Sequence, residues 1–202
     1  MKIGFFINPN STLSKKILFW KKKVKNKYGN QLYLNHFPHL TIFTMYVNKN
    51  NFENYFNKYL QKNNLLLQKN IILKINKPNI FENDPISKKL ILFYDIKKNY
   101  ELIDLQNSLL KKFVKFKRNK HKKIIFSSKI KQKNYNKFSY PFVGSQFKPH
   151  FTISALKETI DSSFIKKFLN QKVSISFKIK DIDVCQIKNN NEHLNLGKIG
   201  LK

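Results

Sequence analysis

The sequence predicts an α+β fold in which two lobes, related by a rough internal two-fold, set antiparallel sheets on either side of a central cleft. Three observations predict it. A short phrase occurs twice, as Pro38-His39-Leu40-Thr41-Ile42 and as Pro149-His150-Phe151-Thr152-Ile153. Each copy stands in a run that reads as a strand, with β-branched and aromatic residues following and Pro at the entrance, where no ladder hydrogen bond is lost. The order strand, helix, strand around the first copy has an approximate echo around the second. At 202 residues the chain is long enough for a single bilobal domain with a real core.

The elements follow in order. Lys2 to Asn8 reads as a central strand, Ile3, Phe5 and Ile7 alternating with Gly4 and Phe6. A helix follows from about Thr12 to Tyr28, capped by Ser11 or Thr12 and stopped by Gly29. Its stripe is Leu13, Ile17, Trp20 and Val24, with lysines on the other side. Trp20 reads as a core anchor. Next comes a loop with His36, a local hydrogen-bonding residue or a cleft-rim contact. The first motif strand runs from His39 to about Val47, with Phe43 and Met45 continuing the His39 face and Phe43 free to leave the cleft as the strand extends.

A second helix from Asn50 or Asn51 to about Leu60 precedes a strand over Leu65 to Ile75. A turn at Pro78 to Pro85, containing Phe81, Asn83 and Asp84, leads to a strand at Leu90 to Tyr94. The third helix, Tyr100 to Phe116, has Leu102, Leu105, Leu109 and Phe113 as its stripe, acids near its start and lysines near its end. A basic run with His121 then opens a polar, aromatic and poorly periodic segment, Ile124 to Phe147, read as a loop over the cleft that bends at Gly144. The second motif strand spans His150 to Leu156. A short helix capped by Asp161 or Ser162 follows, then strands at Val173 to Ile179 and Ile182 to Ile187. An Asn189-Asn190-Asn191 turn leads to a last strand from His193, which is expected at the surface.

Strand periodicity gives the motifs their chemistry. His39 and Thr41 point one way while Leu40 and Ile42 point the other, and His150, Thr152, Phe151 and Ile153 repeat the arrangement. Two imidazoles facing across a cleft can serve as acid and base near neutral pH, and two hydroxyls beside them suit phosphate oxygens. Upstream of His150, aromatic side chains on a basic segment are suited to stacking a nucleobase, with Tyr140 and Phe142 the leading pair.

The paired His-x-Thr phrases closely resemble the signature of the two-histidine (2H) phosphoesterase superfamily, which includes 2',3'-cyclic phosphodiesterases and the proteins called 2'-5' RNA ligases. The resemblance covers nearly the whole chain and implies the bilobal fold. It implies metal-independent hydrolysis of a 2',3'-cyclic phosphate, on a nucleotide or an RNA 3'-end, to a 2'-phosphate. His150 would be the base, His39 the acid, and Thr41 and Thr152 would hold the non-bridging oxygens. Cleavage of 2'-5' linkages, RNA ligase-like activity, and nucleotide or RNA binding without turnover are the alternatives.

Composition bounds the rest. The formal charge of +29 comes almost wholly from lysine, Arg118 being the only arginine and Ala155 the only alanine. This is the usage of an AT-rich coding sequence, and the positive field still attracts a nucleotide or RNA. One cysteine, Cys185, excludes an internal disulfide and fits a reducing compartment. No His, Cys or Asp cluster has metal-ligand spacing, and no cofactor is expected. With no membrane-spanning run or export signal read, the expectation is a cytoplasmic monomer without membrane attachment.

Overall fold

The computed structural model describes residues 1–61, 70–82, 84, 87–97, 99–118, 124–156, 162–188 and 192–201. The run around His121, the Asn189-Asn190-Asn191 turn, Asn83, Pro85, Asp161, and the predicted strand positions 65–69 lie outside the described residues. The architecture is α+β. Eight strands form one antiparallel order, β6-β3-β4-β5-β2-β1-β7-β8. They are β1 (Lys2–Ile7), β2 (Leu40–Tyr46), β3 (Ile72–Phe81), β4 (Leu90–Ile96), β5 (His150–Leu156), β6 (Ser176–Lys178), β7 (Asp181–Ile187) and β8 (His193–Gly200). The helices are α1 (Ser11–Tyr28), α2 (Lys49–Gln61), α3 (Tyr100–Phe113), α4 (Lys129–Phe138) and α5 (Ser162–Leu169).

The two motif strands are neighbours at the middle of this order, four strands falling in each half. They meet at a single register pair, Leu40 with Phe151. Both side chains are fully buried in the main core, behind the histidines. Antiparallel pairing puts directly opposite residues on one face. Leu40 and Phe151 therefore share the core face, and His39, Thr41, His150 and Thr152 share the other.

Helix α1 shows how local sequence builds the core side. The Asn10 side chain accepts a hydrogen bond from the Leu13 amide at 3.0 Å, so the cap lies before both predicted candidates, Ser11 and Thr12. Gly29 ends the helix at φ +68°, a conformation that suits a residue without a Cβ. Leu13, Ile17, Trp20 and Val24 are buried as predicted. Trp20 donates through Nε1 to Gln171 Oε1 at 2.5 Å, an oxygen that also accepts from the Tyr94 hydroxyl at 2.9 Å. The indole thus brings its polar edge into the core satisfied.

Three predicted features are corrected. Lys21 lies on the buried side of α1, not among the solvated lysines. Pro78 to Phe81 belongs to β3 and not to a turn, because the ladder shifts register between Ile75 and Pro78 and so accommodates an imino acid. The segment read as a loop contains α4, capped by Ser128, whose side chain accepts from the Lys131 amide at 3.4 Å, and ended by Ser139 at φ +60°. Its sequence has one buried position, Tyr135, too little to give a periodic stripe.

Candidate active site

Both motif strands carry the same irregularity. In the β1–β2 ladder Phe5 pairs with Phe43 and Phe6 with Thr41, so Ile42 is an extra residue. In the β4–β5 ladder Leu92 pairs with Ser154 and Phe93 with Thr152, so Ile153 is extra. Each bulge directly follows its motif threonine and reverses the facing of the strand beyond it. Phe43 and Met45 consequently enter the core, where the simple alternation placed them on the His39 face, and Thr44 lines the cleft instead.

One cavity, of about 420 Å³, is lined by His39, Thr41, His150, Thr152, Tyr140 and Phe142, all six of the residues singled out in the sequence. Continuing the register from Leu40 and Phe151 sets His39 opposite Thr152 and Thr41 opposite His150. The two imidazoles thus occupy diagonal positions across the strand pair, where neighbours stand about 7–8 Å apart and their Cβ atoms somewhat closer.

Each imidazole is oriented by its own backbone. Nδ1 of His39 is 2.8 Å from the carbonyl oxygen of Phe37, and Nδ1 of His150 is 2.7 Å from that of Lys148. A carbonyl only accepts, so Nδ1 carries a proton in both rings. In the neutral form Nε2 is then the free basic nitrogen.

The ring environments match in shape. Phe6 packs edge-on to His39 at 4.6 Å, and His193 stacks on Phe6 at 4.7 Å and 10°. Phe93 packs edge-on to His150 at 5.1 Å, and Phe81 stacks on Phe93 at 4.0 Å and 24°. They differ in charge. His39 has two further imidazoles beside it, His193 at 5.1 Å and His36 at 6.2 Å between ring centroids. Burial, opposed by the Phe37 carbonyl and reinforced by His193, His36 and Lys21, pushes His39 down to about 3. Burial also lowers His150, but the Lys148 carbonyl and the carboxylates of Asp95 and Asp84 act the other way. Asp95 is the β4 partner of His150, and Asp84 lines the cavity.

His193 is therefore a cleft residue and not the surface residue predicted. Its Nδ1 is buried with no hydrogen-bond partner among the described residues. His36 also lines the cavity, and burial, with His193 and Lys21, pushes it down to about 4. Lys21 reaches the same region from α1, where its ammonium donates to the carbonyls of Tyr33, Leu34 and His36 at 2.6, 3.3 and 2.7 Å. Burial lowers it to about 8. His36 thus takes the cleft-rim place that is one of its two sequence readings, whereas nothing in the local sequence marks His193 or Lys21, which strand order and the return of the 31–37 loop over the cleft bring in.

Tyr140 and Phe142 pack edge-to-face at 5.6 Å. Gln106, fully buried on α3, fixes this wall. Its Nε2 donates to the carbonyls of Ile42 and Phe142 at 2.7 and 2.9 Å, and its Oε1 accepts from the Gly144 amide at 3.1 Å. Gly144 makes the predicted bend at φ +59°. Burial raises the Tyr140 hydroxyl, which stays a neutral donor.

The aromatic platform also depends on Gly4. A Cβ there would stand 2.3 Å from Cζ of Phe6. Gly4→Ala is expected to push the Phe6 ring against His39, lowering stability by about 1–3 kcal/mol as overpacking does and reducing turnover at least several-fold. Thermal melts beside steady-state kinetics check both effects.

The profile described as the 2'-5' RNA ligase superfamily matches residues 13–191. The chain belongs to this superfamily. TT0787 of Thermus thermophilus has a similar fold, at a TM-score of 0.66 and 12% identity over 99% of this chain and 97% of that one. E. coli LigT complexed with 3'-AMP superposes at 0.58 with 12% identity, over 100% and 98%. E. coli LigT complexed with NADP+ gives 0.54 and 13%, over 100% and 97%. No curated protein matches the sequence. At these identities the structural likeness concerns the fold, while superfamily membership supports a phosphoesterase-type activity. Among the described residues no three His, Cys, Asp or Glu side chains are grouped to hold a metal ion, and no helix is long and apolar enough to cross a membrane.

Proposed function

We propose that this protein hydrolyses the 2',3'-cyclic phosphate of a nucleotide or RNA 3'-end to a 2'-phosphate, as a single bilobal domain with His39 and His150 as its acid–base pair. The observation that carries this reading is that both imidazoles line one cavity with Thr41 and Thr152, each with Nδ1 held by main chain and Nε2 left for chemistry. Nucleotide binding by E. coli LigT, a protein of similar fold, agrees with the substrate class.

The charge pattern favours His39 as base and His150 as acid, the reverse of the assignment implied by the resemblance. The half containing His193, His36 and Lys21 keeps His39 neutral, while Asp95 and Asp84 favour the imidazolium of His150. Neutral His39 takes a proton from water as the water oxygen attacks phosphorus. The bond from phosphorus to the ribose 3' oxygen breaks, and the His150 imidazolium gives that oxygen its proton. Thr41 and Thr152 donate to the non-bridging oxygens as charge grows on them.

The pH profile follows from the same assignment. His39 is neutral above about 3, and His150 is protonated only below a value that burial holds under the ordinary histidine value. The alkaline limb of kcat/KM, which reports the free enzyme, is expected below pH ~6.5. Bound phosphate favours imidazolium, so the corresponding limb of kcat lies higher. Asp95→Asn removes a charge that favours the His150 imidazolium. It should shift the alkaline limb to lower pH and reduce kcat/KM several-fold at neutral pH. An unmoved limb would sink the assignment of His150 as acid.

The direct test is incubation of the wild-type protein with 2',3'-cyclic AMP and with an RNA ending in a 2',3'-cyclic phosphate, EDTA present. Formation of a 2'-phosphate supports the reading. A folded protein that turns over neither substrate would overturn it, and cleavage of a 2'-5' linkage or binding of 2'-AMP alone would name the replacement.

A further inference from the structure

The rings packed on His150 also wall a second cavity, of about 370 Å³, lined by Asn76, Asn79, Phe81, Asp95, Phe147 and Lys148 among others. Register places it in line with the candidate active site. Asn79 pairs with Phe93, and Phe93 pairs with Thr152, so these three lie in one row on one face of the sheet. Asn79 is two strands from Thr152, about 10 Å at the usual strand spacing. Asp95 and His150 form the adjacent row.

The polar groups of this cavity are arranged as a donor and acceptors. Asn79 Oδ1 accepts from the Ile80 amide at 2.9 Å, and the side-chain NH2 has no partner among the described residues. Asn76 donates through Nδ2 to Asp95 Oδ2 at 3.2 Å, which leaves Asn76 Oδ1 as an acceptor. Asn99 is committed to its own backbone surroundings, capping α3 and donating to the Ile72 carbonyl at 3.0 Å. The half-buried Phe81 supplies apolar ring surface, and Phe147, buried in the main core, closes the wall behind it. The Asp95 carboxylate makes the interior hostile to a phosphate and suited to exocyclic amino and ring N–H groups. Lys148 stands exposed beside it, where a backbone phosphate is welcome.

We propose that this cavity is a base-binding subsite for the nucleotide preceding a 2',3'-cyclic phosphate end, so that the preferred substrate is an RNA oligomer and not a mononucleotide. The inference rests on the cyclic phosphodiesterase reading. The terminal ribose and one phosphodiester link carry the chain from the cyclic phosphate at His150 past Phe81 and Phe93. The neighbouring base then stacks on an aromatic ring and presents its edge to Asn79 and Asn76, a mode general to single-stranded RNA recognition.

The test compares 2',3'-cyclic AMP with the dinucleotide ApA bearing a 2',3'-cyclic phosphate, for wild type, Asn79→Ala and the Asn76→Ala/Asn79→Ala pair. Wild type is expected to favour the dinucleotide at least tenfold in kcat/KM, and the paired variant to reduce that ratio to within about twofold. A wild-type ratio near one, or a ratio that the variants leave intact, overturns the subsite. Equilibrium binding of 2'-AMP and of ApA carrying a 2'-phosphate separates this from failure of the catalytic reading. If neither cyclic substrate is turned over, tenfold tighter binding of the dinucleotide, lost in the paired variant, still supports the subsite. Equal binding overturns it.

Discussion

Replacing His39 or His150 by alanine is expected to lower kcat/KM on a 2',3'-cyclic phosphate substrate by about 10²–10⁴-fold, the range for a positioned acid or base. The two act on one displacement, so the double variant should fall little below the worse single variant. Both rings are only half-buried and stand on strands whose packing comes from Leu40 and Phe151, so the variants should remain folded. Single-turnover rates beside circular dichroism make the comparison. A folded His39→Ala or His150→Ala protein within tenfold of wild type would remove that residue from the chemistry.

Gln106→Leu should have the largest effect on stability among the site's supporting residues. The substitution keeps the approximate volume but leaves the carbonyls of Ile42 and Phe142 and the amide of Gly144 without their partner. Each group left unsatisfied costs about 1–3 kcal/mol, and the three together give an expected loss of roughly 3–9 kcal/mol. For a chain of this size that lowers Tm by about 10 °C or more. Because Gln106 joins the bulge residue Ile42 to the aromatic wall, KM should rise as well. A melt within a few degrees of wild type would mean that water replaces the amide without strain.

The motif residues were legible because strand period and an entering proline are local properties, and they put His39, Thr41, His150 and Thr152 on one face without any knowledge of the partner strands. The aromatic pair was legible for a similar reason, being close in sequence to His150 and bent at a glycine. What lay beyond reach depended on pairing. Alternation alone sent Phe43 toward the cleft, and only the ladder reveals that Ile42 is an extra residue that turns it inward. His193 belongs to the last strand and reaches His39 by packing on Phe6, 187 positions earlier in the chain. Lys21 looked like one solvated lysine among many, since the carbonyls that accept its ammonium come from a loop more than two helical turns later in sequence. Pro78 argued for a turn until the register shift gave it a place.

The acceptor that orients each motif histidine is main chain, which gives it an unusual mutational property. In many hydrolytic sites a side-chain carboxylate plays this part and a single substitution deletes it. Here the residues that supply the acceptors are Phe37 in one motif and Lys148 in the other, as different as an aromatic and a cation, yet the two bonds agree within 0.1 Å. A substitution at Phe37, whose ring packs on His39 and His193, or at Lys148 therefore alters what surrounds the histidine but not the acceptor that sets its tautomer, a carbonyl that every amino acid possesses.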